Sequence, residues 1–317
     1  MKLILELSGE HPTLPLSEAE CVGNIIKKGM QVAILECPDP SATQRLAMTL
    51  CIVRYIGECD ATLKSFTEML DSLSIESEVP FAGRVKKISD TKIPQSQLEL
   101  ERCIGSHIKG PVSLSNPVTE YRAIFSGNTC YFGEVLYRID RGGFEYRNPM
   151  RRAFFHPGVM MPILARTLVN LAQIKEGDTL LDPFCGTGGI LLEGKLLGCR
   201  VIGTDMDLFM LKGCLENLPD AEVLKVDSTN LPITDCSVDS VVTDLPYGQS
   251  VCIKAESMNA LYNDSISEMR RVLKKGKRAV VVTHVDVREI AKNHFDIVQF
   301  HEQRVHKSLT RRIMVLE

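Results

Sequence analysis

The chain is expected to join an α+β half to an α/β half built on a mainly parallel, doubly wound sheet. Three observations predict this. From Leu180 onward, short apolar bursts recur: "TLLD", "RVIGTD", "AEVLKVD", "SVVTD" and "RAVVVTH". Each is nearly continuous and partly β-branched, as strands buried on both faces are. Between them lie amphipathic segments, 190–197, 208–218 and 259–274, long enough to be crossover helices, so the series reads as βαβ units. The first 150 residues have no such rhythm; turns and alternation replace it.

In that first half, "PLSEAECVGNIIKKG" is expected to be a helix, with Pro15 before it, Ser17 as cap, Glu20 completing a capping box and Gly29 as stop. "ATLKSFTEMLDSL" carries apolar residues at helical spacing. "PFAGRVKKI" reads as a strand and "QSQLELERCIGSHI" as a helix. "EYRAIFSGNTCYFGEVLYRI" reads as a hairpin turning at Gly127-Asn128. The Gly-, Pro- and Arg-rich stretch "DRGGFEYRNPMRRAFFHPGVMMP" is expected to link the two halves.

At 317 residues the chain suits two or three domains. Its 44% hydrophobic and 24% charged residues are those of a globular protein. No apolar run is long enough to cross a bilayer, and Glu6 and Glu10 interrupt the start, so a cytoplasmic location is expected. The 11 cysteines form no C-x2-C or C-x4-C pair, which argues for small buried hydrophobes in a reducing compartment and against a metal site. A net charge of −3 gives no global basic signature. Nucleic-acid contacts would have to come from local patches: "GRVKK", "RNPMRR" and "KKGKR".

"LLDPFCGTGG" is the most informative stretch. A buried strand ends at Asp182, and Gly186, Gly188 and Gly189 allow a sharp turn into a helix, letting backbone N–H groups approach a ligand. Leu191 stands where a dinucleotide fingerprint needs Gly or Ala, which disfavours a pyrophosphate. The Asp182 carboxylate suits instead a cationic ligand with an amino-acid tail. Asp205, ending the next strand, is placed to accept hydrogen bonds from ribose hydroxyls. Asp227-Ser228, ending the third, can receive an adenine amino group. In "TDLPYG" the strand runs out on Asp244, then Leu245, Pro246 and Tyr247.

"DPFCGTGG", "GTDMD", "KVDSTNLP" and "TDLPYG" together resemble the successive motifs of S-adenosylmethionine-dependent methyltransferases with the Rossmann-like class I fold. The last resembles the N/D-P-P-Y/F signature of enzymes that methylate exocyclic amines of bases. The resemblance implies that S-adenosylmethionine is held by Asp182, Pro183, Phe184, Gly186, Thr187, Gly188, Asp205, Met206, Asp227 and Ser228. Asp244, Leu245, Pro246 and Tyr247 would clamp the target amine: Asp244 accepting its hydrogen, the Leu245 carbonyl as second acceptor, and the Tyr247 ring stacking on the base. Leu245 replaces the first proline of the signature and is expected to leave the turn less rigid.

"FAGRVKKI", "LELERCIGSHIKGPVSLSNPVTEYRAIF" and "YFGEVLYRIDRGGFEYRNPMRR" resemble the THUMP module of RNA-modifying enzymes, and the residues before them a small ferredoxin-like domain. The divisions implied are 1–55 ferredoxin-like, 56–145 THUMP, 146–160 linker and 161–317 catalytic. The chain most resembles archaeal tRNA guanine-10 N2-methyltransferases, with tRNA as partner. Arg84, Lys86, Lys87, Arg147, Arg151 and Arg152 would meet phosphates, and either a monomer or an accessory subunit is compatible. His156-Pro157 could contact the cofactor or merely pack. Two further readings stay open: an adenine N6-methyltransferase on RNA or DNA, and a non-catalytic RNA-binding protein with a vestigial core.

Overall fold

A computed structural model of the chain describes residues 1–247, 258–306 and 309–317. It divides into two compact units, Met1–Ile139 and Asp140–Glu317. The first contains β1 (Lys2–Leu7), α1 (Leu14–Ala19), β2 (Asn24–Gly29), β3 (Val32–Glu36), β4 (Thr49–Asp60), α2 (Leu63–Leu73), β5 (Phe81–Lys87), α3 (Gln97–His107), β6 (Thr119–Ser126) and β7 (Thr129–Arg138). Its seven strands form one sheet in the order β2-β3-β1-β4-β7-β6-β5. Every pairing is antiparallel except β5 with β6. Thr62 caps α2, and Ser96 with Glu99 makes a capping box on α3. Phe66 and Leu70 of α2 and Leu100 and Ile104 of α3 bury against Phe81, Phe125 and Phe132 of the sheet.

Two expectations are corrected here. The helix expected to run to Gly29 ends at Ala19; residues 24–29 are strand β2, paired with β3 through a turn in which Gln31 adopts φ 54°. The capping pattern is local, but the ladder with "VAILE" is stronger. Glu18 on α1 is fully buried, its carboxylate accepting the Ala47 and Met48 N–H groups at 2.8 Å each. The boundary expected between 55 and 56 falls inside β4, a 12-residue strand that pairs β1 on one side and β7 on the other.

The second unit contains α4 (Arg141–Tyr146), α5 (Pro162–Leu171), β8 (Thr179–Asp182), α6 (Gly189–Lys195), β9 (Arg200–Asp205), α7 (Leu208–Asn217), β10 (Glu222–Lys225), β11 (Ser240–Asp244), α8 (Met258–Val272), β12 (Ala279–Thr283), α9 (Arg288–Ala291), β13 (Ile297–His306) and β14 (Leu309–Leu316). The sheet order is β10-β9-β8-β11-β12-β14-β13. The first five strands are parallel, as the apolar bursts predict, and Leu181, Val241, Val281 and Met314 bury against Tyr262, Ile266 and Met269 of α8. The antiparallel β13–β14 hairpin, not anticipated, closes the sheet beside β12.

The chain returns from β8 to β9 on one side, while β11 lies on the other. That is a topological switch point, where a crevice opens beyond the strand ends. Residues expected as linker belong to this unit. Phe154 packs edge-on against Phe209 with centroids 5.1 Å apart, and its N–H donates to Asn217 Oδ1 at 2.9 Å. Asn217 Nδ2 donates in turn to the Phe154 and Thr187 carbonyls. Among the described residues no helix is long and apolar enough to cross a membrane, and no three metal-ligating side chains cluster. Cys37, Cys51, Cys130, Cys185, Cys199 and Cys214 are buried, Cys236 is exposed, and Cys252 lies outside the described residues.

Candidate active site

Strand register sets the geometry. Leu181 pairs with Val241, so Asp182 ends β8 beside Val242, and Asp244 ends β11 two residues further on. The Thr243 hydroxyl donates to Asp182 Oδ1 at 2.7 Å and the Phe184 N–H donates to the same oxygen at 3.1 Å. Both carboxylates line one cavity of about 310 Å³, walled also by Phe184, Gly186, Thr187, Gly189 and Tyr247. His156, Pro157 and Gly158, from the stretch expected as linker, line it too.

The turn after β8 depends on two glycines. Gly186 has φ 49°, and a Cβ there would meet nothing within 4 Å, so the backbone lies open to the cavity. Gly188 has φ 81°, and a side chain would strike Cys214 Sγ at 2.7 Å. The Gly186 N–H donates to Asp205 Oδ2 at 3.0 Å, joining the ends of β8 and β9.

Burial pushes the Asp182 carboxyl up to about 7, against the opposing hydrogen bonds from Thr243 and Phe184. Burial likewise pushes Asp244 up to about 6, opposed by a hydrogen bond from Tyr247 and by the charge of Arg311. Asp244 is thereby a stronger base than a solvent-exposed aspartate.

Tyr247 donates its hydroxyl to Asp244 Oδ1 at 2.8 Å. Its ring is half-buried, tilted against His284 with centroids 4.7 Å apart, and so is less open for stacking than the sequence suggests. Burial and the Asp244 charge raise its hydroxyl above the usual range. Leu245 does not loosen the turn. Its N–H donates to the Val282 carbonyl at 2.8 Å, a ladder bond that proline could not make, and its side chain is 1% exposed. Tyr262 of α8 holds the turn from beneath, donating its hydroxyl to the Pro246 carbonyl at 2.7 Å.

Other expected residues lie off the cavity wall. Asp205 accepts the Gly186 and Asp207 N–H groups, and Asp227 caps its own turn through Thr229. Ser228 is buried, its hydroxyl shared with Ser265 at 2.9 Å, so it faces the core. Pro183 follows Asp182, its carbonyl accepting the Thr204 hydroxyl, and Met206 follows Asp205.

Several arginines and lysines expected to face phosphates have protein partners instead. Arg147 Nε donates to the fully buried Glu193 at 2.8 Å, and Arg166 holds the same carboxylate. Lys87 Nζ donates to the carbonyls of Ile93 and Gln95. Arg84 donates to the Leu114 carbonyl, Arg151 pairs with exposed Glu145 at 3.4 Å, and Lys86 is partly exposed on β5. Burial turns the side chain of Arg152 inward. Sequence reasoning missed Arg311 and His284 beside Tyr247; the apolar run "IMVL" was the available signal for the strand that carries the first.

A doubly wound sheet, a glycine turn open to a cavity at its switch point, and two strand-end carboxylates in that cavity define a class I methyltransferase that uses S-adenosylmethionine. The donor set fits that cofactor: buried carboxylates suit its cationic tail, and the open Gly186 backbone leaves room for it. The RMKL-like methyltransferase domain model matches residues 149–313, and the chain belongs to that family. It is 34% identical to a tRNA (guanine(10)-N2)-dimethyltransferase of Methanothermobacter thermautotrophicus, over 100% of this chain and 99% of that one. A second relative of the same name, from Methanocaldococcus jannaschii, is 39% identical over 64% of this chain and 63% of its own. The crystal structure of TrmN from Thermus thermophilus shares the fold, with TM-score 0.54 and 20% identity over 100% of this chain and 99% of that one.

Proposed function

We propose that the protein methylates the exocyclic N2 amine of a guanosine in tRNA, at position 10. The observation that carries this reading is that Asp182 and Asp244, from neighbouring strands, open onto one cavity with Tyr247 bonded to Asp244. The names of the two relatives above support the substrate and the position, and they extend the reading to addition of two methyl groups.

S-adenosylmethionine, when bound, supplies a methyl group activated by its sulfonium. Asp182 would hold the cationic tail, Asp205 the ribose hydroxyls and the Asp227 turn the adenine, with Gly186, Thr187 and Phe184 shaping the cavity between. An exocyclic guanine amine is a poor nucleophile because its lone pair is delocalised into the ring. Asp244 would accept one of its hydrogens, turn the lone pair out of conjugation and stabilise the charge that develops on nitrogen. With its carboxyl held near 6, it can also receive the surplus proton. Oδ1 already accepts the Tyr247 hydroxyl, which leaves Oδ2 for the amine. The Leu245 carbonyl would be the second acceptor, and the Tyr247 ring would border the base.

Residues 1–139, which carry most of the THUMP-like segments, supply the RNA-binding part in this reading. The test is to incubate an unmodified tRNA transcript with labelled S-adenosylmethionine and the enzyme, then digest to nucleosides. Label in N2-methylated guanosine is expected; label on adenine N6, or none in RNA, contradicts the proposal.

A further inference from the structure

Arg311 and Arg312 are neighbours near the start of β14, and alternation along the strand puts them on opposite faces of the sheet. Arg312 is held by structure: it pairs with Thr283 in the β12 ladder, its Nη1 donates to the His284 carbonyl, and its Nε lies 3.1 Å from Glu302. Arg311 is half-buried and makes no ion pair among the described residues, and its Nε is buried there without a hydrogen-bond partner. What its guanidinium meets is the Tyr247 hydroxyl, through a hydrogen bond and through its charge, and the same charge reaches Asp244. Register explains the approach. One step beyond the Thr283–Arg312 pair, Arg311 stands across from His284, whose ring centroid is 4.7 Å from that of Tyr247.

A tyrosine hydroxyl has a single hydrogen to give, and a guanidinium has only donors. Between the two, the tyrosine oxygen must accept, so its own hydrogen is left for Asp244 Oδ1, 2.8 Å away. The groups that face the Asp244 carboxylate are Tyr247 on its own turn, Asp182 on β8, Tyr262 on α8 and Arg311 on β14. Arg311 is the cation of that set. Burial and the charge of Arg312 hold His284 below the usual histidine range, so near neutral pH it adds no charge beside Tyr247.

We propose that Arg311 is a positioning residue for methyl transfer that acts through Tyr247: it commits the tyrosine hydroxyl to Asp244 and so leaves the other carboxylate oxygen aimed at the target amine. The inference rests on the methyl-transfer reading of the site and deepens it. Arg311 is not on the cavity wall, so its influence passes through the tyrosine.

Single-turnover transfer from labelled S-adenosylmethionine to an unmodified tRNA transcript tests this on the full chain. Glutamine is the informative replacement, because its amide oxygen can accept the hydrogen that Asp244 otherwise receives; lysine keeps the charge and has only donors. Arg311→Gln should lower the rate near neutral pH by about tenfold and move the acid limb to higher pH, and Arg311→Lys should keep most of the rate. Cofactor affinity from calorimetry should stay within about threefold of wild type in both, which also reports an intact fold. In Tyr247→Phe there is no hydroxyl to commit, so adding Arg311→Gln should cost less than about a further threefold. An Arg311→Gln rate and acid limb matching wild type overturn the proposal. So does a full second loss on top of Tyr247→Phe, which would mean that the arginine acts by another route. An Arg311→Gln enzyme that binds tRNA weakly but matches wild type at saturating tRNA overturns it in favour of a phosphate contact. In these three outcomes wild type is active and the methyl-transfer reading stands; wild type that puts no label on guanosine overturns that reading and this proposal together.

Discussion

The Tyr247 hydroxyl donates a 2.8 Å hydrogen bond to Asp244 Oδ1, so the residue that closes the "TDLPY" turn also sets the charge state of the carboxylate that opens it. Removing the hydroxyl alone separates this role from that of the ring. In Tyr247→Phe the ionised carboxylate loses a donor, and its pKa should rise above the wild-type value of about 6. Single-turnover methyl transfer should fall by about tenfold at pH 7, a loss of about 1.4 kcal/mol of stabilisation. Raising the pH should recover part of it. A profile superimposable on wild type would show that the bond is incidental.

Asp244 must be ionised to accept a hydrogen from the amine. With its carboxyl pushed up to about 6 by burial, methyl transfer is expected to be full above that pH and to decline as pH falls through it. The measurement is single-turnover rate against pH between 5 and 9, with saturating cofactor and RNA, on the order of half-unit steps. An acid limb near pH 4, that of an unperturbed aspartate, would contradict the assignment.

Asp182 gives a stability prediction with the sign fixed by its raised pKa. The folded state favours the protonated form, at about 7 against an ordinary 3.8. The ionised group therefore lowers stability above pH 7, and that cost is relieved as pH falls through 7. Asn can keep the acceptor that Thr243 and Phe184 use while removing the charge. Asp182→Asn should therefore be more stable than wild type by about 1 to 3 kcal/mol at pH 8, with the gap closing toward pH 5. Urea unfolding at the two pH values reads this, and cofactor affinity should drop in the same variant. Equal stability at both would show that the carboxylate is not strained.

Glu193 is predicted to be a stability residue. Alanine there removes the buried carboxylate that half-buried Arg147 and buried Arg166 share, and unfolding free energy should fall by about 3 to 5 kcal/mol. A loss under about 1 kcal/mol in denaturant titration would mean that solvent reaches the pair.

The catalytic half was legible because its signals are local: an apolar burst, an acid at its end and glycines where φ is positive, as at Gly186 and Gly188. The parallel order then places Asp182 and Asp244 together without further information. What failed was nonlocal. Residues 24–29 carry a helix-like prelude, but their fate is decided by β3, which precedes β1 and β4 in the sheet order. The β13–β14 pair went unread because β13, "IVQFHEQRVH", is polar-rich and lacks the apolar burst that marks the parallel strands. For arginines, sequence gives the charge and not the partner: Glu193, 46 residues from Arg147, decides that this cation faces inward.

The central claim is a division of labour within one cavity, with Asp244 serving the amine and the β8–β9 turn serving the cofactor. Asp244→Ala tests it most directly, with cofactor affinity from calorimetry and methyl transfer from single turnover on the same preparation. Affinity should stay within about threefold of wild type while transfer falls by about a thousandfold or more. An Asp244→Ala enzyme that still methylates tRNA at a comparable rate, or one that no longer binds cofactor, would contradict the account.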